Sequence, residues 1–473
     1  MIDSTEMAVV DRNAVALGVP ETNLMESAGN AVARAVRALD PDGEIAIVAG
    51  RGNNGGDGLT AARFLAELEP TVYLLGHPDR LGSEVTREKY EALLAAGIEP
   101  TVWRDSSAIE LDDPAIVVDA LLGTGVRGAP REPARSAIEA INGTEALVVA
   151  VDVPSGVNVD TGERAGVAVE AETVVTFHDR KPGLAEHEDV IVADIGIPPA
   201  AERVVGPGDL LRIERPMSAH KGDFGRILIV GGGPYTGAPA LAGQAALRAG
   251  ADLATILAPE TIAEEIQGYA ADLIVGELAG SLLSPDHVRD VLESAEERDV
   301  LVLGPGLGDA EPTRTAVRRI LEEFTGRVVL DADAIGVLPE SDTAAEVICT
   351  PHRGEFADIE GAESGDWVER AERVASDLGS TILLKGPEDI ITDGSRTRIN
   401  RTGNPGMTVG GTGDVLAGVT AAMAAVLDPV PAAALGAYLT GTAGDLAAET
   451  RDGGLLASDL LVRLPAALGG EKA

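Results

Sequence analysis

Cysteine is nearly absent from this sequence of 473 residues, which restricts the chemistry open to it. The single cysteine, Cys349, excludes an internal disulfide bond and any metal cluster held by several thiolates. Aromatic residues make up only 3% of the chain, so a core must be built mainly from Val, Leu, Ile and Ala. Together with 57 glycines, this composition is typical of an α/β protein with many short turns and not of a disordered chain.

Basic residues are also scarce. The chain has 37 Lys and Arg against 77 Asp and Glu, which gives a formal net charge of −40. A field of that sign repels nucleic acid and anionic membrane surfaces, so we expect neither as a partner. A solvated acidic surface is typical of proteins in a salt-rich cytoplasm, and we therefore predict a halophilic protein whose charge reflects its habitat.

No long apolar run is present. The longest, Val415 to Leu427, is rich in Gly and Ala and is too short to span a bilayer. Met1–Glu6 lacks the basic and apolar regions of a signal peptide. We therefore expect a soluble, cytoplasmic protein, and we also expect a homo-oligomer.

Segments typical of strands and helices alternate through both halves of the chain. This alternation predicts mostly parallel sheets covered by helices on both faces, that is, two three-layer αβα domains. A Gly- and Pro-containing joint around Val205–Ser218 separates them. We predict one domain over residues 1–208 and the other over 215–473.

A glycine-rich segment follows the first predicted strand and reads GRGNNGGDGL from residue 50 to residue 59. A helical pattern starts at Leu59, so backbone N–H groups of this segment can reach phosphate oxygens at a helix N-terminus. A tight turn requires glycine, but it does not require Asn53, Asn54 and Asp57 between the glycines. The segment therefore predicts a ligand-binding loop.

Two further predicted strands end in carboxylates, at Asp119 and Asp152. Ligands of open parallel sheets bind at the carboxyl ends of the strands. A single Asp at such a position is about as often a turn cap as a catalytic group. Asn, Asp and Ser oxygens converging there would suit a hard cation such as K⁺ or Mg²⁺.

From Thr5 to about Pro207 the chain resembles the NAD(P)H-hydrate epimerase family, which has a Rossmann-like fold. The likeness runs through MAVVDRNAVALGVPETNLMESAG (residues 7–29), NNGGDG (53–58), DALLGTG (119–125), DVPSGVNVDTG (152–162) and TFHDRKPGL (176–184).

The resemblance implies specific roles. Asp119 is the first candidate for the proton-transfer group, and Lys181 either steers substrate phosphates or lies in a surface turn. Potassium would be held by Asn54, Asp119 and Ser155. The hydrated nucleotide would contact Asn53, Asn54, Gly55, Gly56, Asp57, Gly123, Thr124, Gly125, Val126, Arg127, Gly128, Ala129 and Asp152.

The second half has its own glycine-rich segment, GNPGMTVGGTGD, from residue 403 to residue 414. The helix predicted from Val415 would direct backbone amides at a phosphoryl group in transfer. Asp414 would stand beside them, where a carboxylate can accept the proton of an attacking hydroxyl. An N-capping role would explain Asp414 alone, but not five glycines.

This pattern resembles the ribokinase-like superfamily and, within it, the ADP-dependent NAD(P)H-hydrate dehydratases, from about Met217 to Leu468. The supporting segments are HKGDFG (220–225), YTGAPALAGQAALRAG (235–250), GPGLG (304–308), DADA (331–334) and TPHRGE (350–355). The resemblance implies that Gly306, His352 and Asp414 contact the hydrated nucleotide. It implies that ADP is bound by Lys385, Gly386, Pro387, Glu388, Asp389 and Gly413, and we expect Mg²⁺ on its phosphates.

The predicted function is repair of hydrated NADH and NADPH. One domain would interconvert the R and S hydrates, and the other would dehydrate the S hydrate with ADP, giving NAD(P)H, AMP and phosphate. Two alternatives remain open from the sequence. One is a ribokinase-like small-molecule kinase with a vestigial front domain, and the other makes the front domain a nucleotide-binding or scaffolding module without catalysis.

Overall fold

The chain forms two compact units, Met1–Ala201 and Glu202–Ala473, in a computed structural model that describes residues 1–125, 128–361, 364–450 and 453–469. The division falls earlier than the predicted end of the first domain at residue 208. Residues 202–208 belong to the second unit because Val205 N–H donates a hydrogen bond to Ile399 O (2.9 Å) on that unit's sheet. None of the helices in the described ranges combines the length and the apolar composition needed to cross a membrane.

The first unit contains a seven-stranded sheet in the order β3-β2-β1-β4-β5-β6-β7, and every neighbouring pair is parallel. Its strands are β1 (Ile45–Ala49), β2 (Thr71–Leu75), β3 (Thr101–Trp103), β4 (Ile116–Ala120), β5 (Leu147–Val151), β6 (Thr173–Phe177) and β7 (Val190–Ala193). Its helices are α1 (Ser4–Ala16), α2 (Glu21–Ala38), α3 (Asn53–Phe64), α4 (Glu84–Ala95) and α5 (Ala134–Asn142), and the short α6 (Ala200–Arg203) spans the division.

The second unit contains a nine-stranded sheet in the order β10-β9-β8-β11-β12-β13-β14-β15-β16. The pairs from β10 to β14 are parallel, and β15 and β16 are added as antiparallel strands. The strands are β8 (Arg226–Val230), β9 (Leu253–Pro259), β10 (Ile274–Leu278), β11 (Val300–Leu303), β12 (Arg327–Leu330), β13 (Glu346–Cys349), β14 (Thr381–Leu384), β15 (Asp389–Thr392) and β16 (Thr397–Asn400). The helices are α7 (Gly237–Arg248), α8 (Glu260–Gln267), α9 (Val288–Ala295), α10 (Glu311–Glu323), α11 (Arg353–Glu360), α12 (Trp367–Leu378), α13 (Thr412–Ala424), α14 (Pro429–Ala448) and α15 (Ala457–Gly469).

Both sheets are covered on two faces. Successive residues of a strand point to opposite faces, and Ile47 and Val48 of β1 belong to two different apolar clusters. The same is true of Ile229 and Val230 of β8 in the second unit. The predicted α/β class with two three-layer αβα arrangements is therefore confirmed.

The two helices that follow the glycine-rich segments, α3 and α13, begin earlier than the sequence pattern predicted. Helix α3 starts at Asn53 and not at Leu59, and α13 starts at Thr412 and not at Val415. Glycine makes the early start of α3 possible, because a Cβ on Gly55 would overlap the carbonyl group of Gly50. The polar residues predicted to lie in a loop are thus fixed in the first turns of a helix.

Candidate active sites

The first site begins with a buried carboxylate at the end of β4. Asp119 is fully buried, and its Oδ2 accepts a hydrogen bond from Ser155 N (2.8 Å). Its Oδ1 accepts hydrogen bonds from Ser155 Oγ (2.7 Å) and from Leu121 N (3.2 Å). Burial raises the pKa of Asp119 to about 6, although its hydrogen bonds to Ser155 and Leu121 act in the opposite direction.

Asn54 joins the same cluster through Leu122. Its Nδ2 donates to Leu122 O (3.1 Å), and Leu122 N donates to Ser155 Oγ (2.9 Å). The three residues predicted to hold potassium therefore lie together in the fold. They offer one carboxylate and neutral oxygens, a donor set that suits a hard cation. Within the described ranges, no cluster of three or more His, Cys, Asp or Glu side chains could hold a metal.

The segment after β4 was predicted to line the hydrate site. Gly123 packs against Asn54, because a Cβ on Gly123 would lie 3.0 Å from Asn54 Cβ. Thr124 is half-buried, whereas Gly125, Gly128 and Ala129 are exposed. Val126 and Arg127 lie outside the described residues, and their predicted contacts remain predictions.

A second carboxylate follows β5 and pairs with a buried lysine. Asp152 adopts a φ of 64°, and its Oδ1 lies 3.0 Å from Lys181 Nζ and accepts a hydrogen bond from Thr176 Oγ1 (3.0 Å). The Lys181 ammonium also donates to Phe177 O (2.7 Å) and is only 1% exposed. Both roles predicted for Lys181 are wrong: it lies in no surface turn, and it is too deeply buried to steer phosphates.

The first turns of α3 carry the other predicted contacts. Asn53 is exposed, donates to Glu21 Oε1 (3.0 Å) and accepts from Ser83 Oγ (2.7 Å). Asp57 is partly buried. Burial raises the pKa of Asp57 well above its usual value, and the carboxylates of Asp152, Asp11 and Glu21 raise it further.

Asp11 of α1 was not among the predicted site residues. Burial, together with Asp152 and Glu21, raises its pKa to about 7 despite the opposing effect of Lys181. The available signal was its place in the segment 7–29, which carried part of the family resemblance. Helix α1 starts beside the turn before Lys181, where Ile2 N donates to Arg180 O (3.0 Å).

In the second unit, Lys385 and Asp331 form the centre of a second charged cluster. Lys385 Nζ lies 3.2 Å from Asp331 Oδ1 and 3.8 Å from Glu355 Oε2. Thr350 Oγ1 donates to the same Asp331 oxygen (2.7 Å). Burial would lower the pKa of Lys385, but Asp331 and Glu355 outweigh it and raise that pKa. The sequence assigned no site role to Asp331 or Glu355, although Asp331 directly follows a strand.

His352 lies next to Lys385 because the extensions of β13 and β14 pair as a parallel bridge. Its Nδ1 accepts hydrogen bonds from Gly354 N (2.9 Å) and Glu355 N (3.0 Å), so it caps α11. A ring nitrogen that accepts carries no proton, which places the proton of a neutral ring on Nε2. The ring is 60% exposed and can therefore donate from Nε2 to a bound molecule.

The glycine-rich segment of this unit brings Asp414 to the same cluster. A Cβ on Gly413 would lie 3.5 Å from Lys385 Nζ and 4.0 Å from Asp331 Oδ2. Asp414 follows in the first turn of α13, where unpaired backbone N–H groups favour an anion. Burial raises the pKa of Asp414 to about 7, with Asp331 and Asp333 adding to the effect and Lys385 opposing it.

Gly306 reaches this edge of the sheet in a conformation that requires glycine. It has a φ of 70°, and a Cβ there would lie 2.7 Å from Tyr235 O. Gly308 N donates to Asp333 Oδ2 (2.8 Å), which ties this turn to the carboxylates near Asp414. The structure thus places the predicted substrate contacts of this unit at the carboxyl ends of β11 and β13, which flank β12, and at the start of α13.

The turn predicted to bind the adenine nucleotide connects β14 to β15. Its residues 386–388 are exposed, and Asp389 Oδ1 closes the turn by accepting from Gly386 N (3.0 Å). Asp389 Oδ2 accepts from Asn400 Nδ2 (2.9 Å), and Glu388 Oε1 accepts from Arg401 Nε (2.7 Å). The acidic side chains thus shape the turn, and its contacts with a nucleotide remain predictions.

These features define a two-unit α/β protein with a charged cluster at a glycine-rich helix start in the second unit and a carboxylate-rich site in the first. The sequence matches the family described as NAD(P)H-hydrate dehydratase over residues 227–466 and the YjeF-related protein N-terminus over residues 21–183. The structure is similar to that of a ribokinase-like superfamily protein from Enterococcus faecalis V583, with a TM-score of 0.51 and 26% identity, covering 56% of this chain and 95% of that one.

Relatives match over nearly the whole chain. The bifunctional NAD(P)H-hydrate repair enzyme of Methanothermobacter thermautotrophicus is 45% identical over 98% of this chain and 94% of its own length. The protein of the same name from Pyrobaculum aerophilum is 45% identical over 98% of this chain and 97% of its own. The chain therefore belongs to the family of bifunctional NAD(P)H-hydrate repair enzymes.

Proposed function

We propose that this chain repairs hydrated NADH and NADPH by two reactions in separate units. The first unit interconverts the R and S hydrates, and the second dehydrates the S hydrate with ADP to give NAD(P)H, AMP and phosphate. The observation that carries the second reaction is Asp414, a carboxylate with a raised pKa beside Lys385 at the glycine-rich start of α13.

Dehydration needs help because hydroxide is a poor leaving group. Asp414 accepts the proton of the C6 hydroxyl while that oxygen attacks the β-phosphorus of ADP, and AMP leaves. The C6–O bond then breaks with departure of phosphate, and loss of a proton from C5 restores the dihydronicotinamide ring. Backbone N–H groups at the start of α13 stabilise the charge on the transferring phosphoryl group.

Lys385 and its turn are proposed to hold the adenine nucleotide, with Gly413 allowing close approach of the phosphates. His352 would donate from Nε2 to the hydrated nucleotide beside Gly306. Mg²⁺ on the nucleotide phosphates would neutralise charge during transfer. Burial of the Lys385–Asp331 pair keeps the ammonium fixed before the nucleotide arrives.

In the first unit, we propose that Asn53–Asp57, residues 123–129 and Asp152 surround the hydrated ring. Asn54, Asp119 and Ser155 would hold K⁺, and the bound ion would fix the segment after β4 next to the start of α3. Full burial of Asp119, with both of its oxygens engaged, suits this role. The same burial argues against the proton-transfer role that the sequence suggested for Asp119.

We also propose a habitat and an oligomeric state for the protein. The net charge of −40 fits a solvated surface in a salt-rich cytoplasm, and we retain the proposal of a homo-oligomer. A fold and activities indifferent to molar KCl would argue against halophilic adaptation. A mass measured in solution that equals one chain would argue against the oligomer.

The purified S hydrate of NADH with ADP and Mg²⁺ tests the second reaction. The wild-type chain should release NADH, AMP and phosphate in equal amounts, and D414N should bind ADP without releasing them. D309N, at an exposed position of the same unit, serves as the matched control. A stable phosphorylated product without NADH would instead indicate a small-molecule kinase.

A further inference from the structure

One lysine in the first unit faces more carboxylates than it can neutralise. The ammonium of Lys181 lies 3.0 Å from Asp152 Oδ1 and donates a hydrogen bond to Phe177 O (2.7 Å). Asp152 Oδ1 accepts a further hydrogen bond from Thr176. This ion pair is fixed by contacts from β6 and its following turn, and its charges cancel locally.

Asp11 lies on α1, whose start is tied to the residue before Lys181 by the hydrogen bond from Ile2 N to Arg180 O (3.0 Å), and Asp57 lies on α3, whose first residue Asn53 donates to Glu21 (3.0 Å). Both side chains are partly buried, and neither carboxyl group has a hydrogen-bond partner among residues 1–125 and the other described ranges. Asp57 projects from the first turns of α3, directly after the residues proposed to line the hydrate site. Both carboxyl groups are therefore free to exchange hydrogen bonds with a ligand or with water.

The charges around Asp11 and Asp57 leave them without a full counter-ion. Asp152 and Glu21 raise the pKa of both groups, and Asp11 also raises the pKa of Asp57. Lys89 lowers the pKa of Asp57 only as the smallest influence. Its ammonium is already engaged by Thr22 O (3.0 Å) and Glu26 Oε1 (2.9 Å). Adjacent carboxylates that lack counter-ions retain protons near neutral pH.

We propose that Asp11 and Asp57 are the acid–base pair that transfers protons during epimerisation at C6, with the Asp152–Lys181 ion pair as their fixed support. This inference rests on the proposed epimerase function of the first unit. It assigns the proton-transfer role to α1 and α3 and leaves Asp119 as an ion ligand.

The chemistry balances with one proton on the pair. The protonated carboxyl donates to the C6 hydroxyl, the C6–O bond breaks, and the lone pair of N1 forms a C6–N1 double bond as water leaves. A water molecule then adds to the other face of C6, and the ionised carboxylate accepts its proton. The pair finishes with one proton, and the ring with the opposite configuration at C6.

The directions of the two pKa shifts fit these two roles. The pKa of Asp11 is raised to about 7, so this group is partly ionised at neutral pH and can act as a base. The pKa of Asp57 is raised well above its usual range, so this group keeps a proton to donate. Because the two groups interact, the titration belongs to the pair.

The test uses the full chain with the purified R hydrate of NADH, ADP, Mg²⁺ and KCl. Conditions are chosen so that epimerisation, and not dehydration by the second unit, limits the rate. D11N and D57N should each lower kcat for epimerisation by about 100-fold or more, the usual size of a lost acid–base group, with KM little changed. D57E should recover part of the rate. D42N, at an exposed position before β1, should match wild type. Dehydration of the S hydrate should be unchanged in every variant.

The pH profile separates proton transfer from a structural role. Wild-type kcat should rise near pH 7 as Asp11 ionises and fall at higher pH as Asp57 loses its proton, and D11N should lose the rise. Variants that epimerise like D42N would overturn the proposal, and so would a D11N profile with the wild-type rise. A flat wild-type profile would overturn it even if the variants fail to fold. A wild type with no epimerisation at all would instead refute the proposed function of the first unit.

Discussion

Replacing Asp414 with asparagine should stop dehydration and at the same time stabilise the second unit above neutral pH. The carboxyl group has a folded pKa of about 7, above its usual 3.8, so the folded protein holds this proton more tightly than the unfolded chain does. The resulting penalty is absent below about pH 4, grows as pH rises, and is complete above about pH 7. Asparagine has nearly the same shape and carries no charge, so it removes the penalty.

The size of the effect follows from the shift. About three pKa units at ~1.4 kcal/mol each give about 4 kcal/mol as an upper limit. The start of α13 favours an anion by ~0.3–1 kcal/mol, which asparagine forfeits. Asp414 is also partly exposed, so solvent relaxes part of the penalty. We therefore expect D414N to gain about 1–3 kcal/mol at about pH 8.

Tryptophan fluorescence offers an assay for this unit alone. The chain has two tryptophans: Trp103 is buried in the first unit, and Trp367 contacts Phe356 in the second. In a W103F background, Trp367 alone reports unfolding by urea. The midpoint for D414N should lie above that of its parent at about pH 8 and coincide with it at about pH 4.

D309N, which removes an exposed carboxylate of the same unit, is the control and should change little at either pH. A D414N protein no more stable than its parent at high pH would refute the argument that Asp414 is held against its own ionisation. A gain of equal size at both pH values would show that the effect has a cause other than charge.

The remaining predictions concern both sites. H352A should lose ~1 kcal/mol of stability with its cap of α11 and should raise KM for the S hydrate, whereas H352N should keep the cap and recover stability only, as urea unfolding and steady-state kinetics would show. K385M should raise KM for ADP and destabilise the second unit by ~3–5 kcal/mol, because Asp331 is left buried without its counter-ion, with epimerisation unchanged. Replacing K⁺ by tetramethylammonium should slow epimerisation in the wild type but not in N54A. If the replacement slowed only dehydration, the result would contradict the proposed ion site.

The sequence predicted the fold class and the edges of the sheets where the sites lie. Asp119 and Asp152 lie at the carboxyl ends of β4 and β5, which parallel sheets collect at one edge, and Asp414 lies in the glycine-rich first turn of α13. Local pattern was therefore sufficient to predict where these three carboxylates lie in the fold, whereas their roles stay predictions. It was insufficient for the starts of α3 and α13, because glycine-rich first turns resemble loops until the close packing of Gly55 on Gly50 is known.

Long-range packing decided what the sequence missed. Lys181 stands in a Pro- and Gly-containing segment typical of a turn, yet the fold buries it against Asp152. Asp11 precedes the first strand, and its role depends on α1 packing beside that same segment. Asp331 contacts Thr350 and Lys385 because β12 pairs with β13 and β13 pairs with β14. Each of these positions depends on residues distant in sequence.

The most direct test of the account is to mix the full chain with NADH hydrate prepared as both epimers, in KCl with Mg²⁺, and to follow NADH absorbance with and without ADP. We predict complete recovery that requires ADP and releases one AMP and one phosphate per NADH. Recovery that stops at the share of one epimer would contradict the epimerase role of the first unit. No recovery with any nucleotide would contradict the account as a whole.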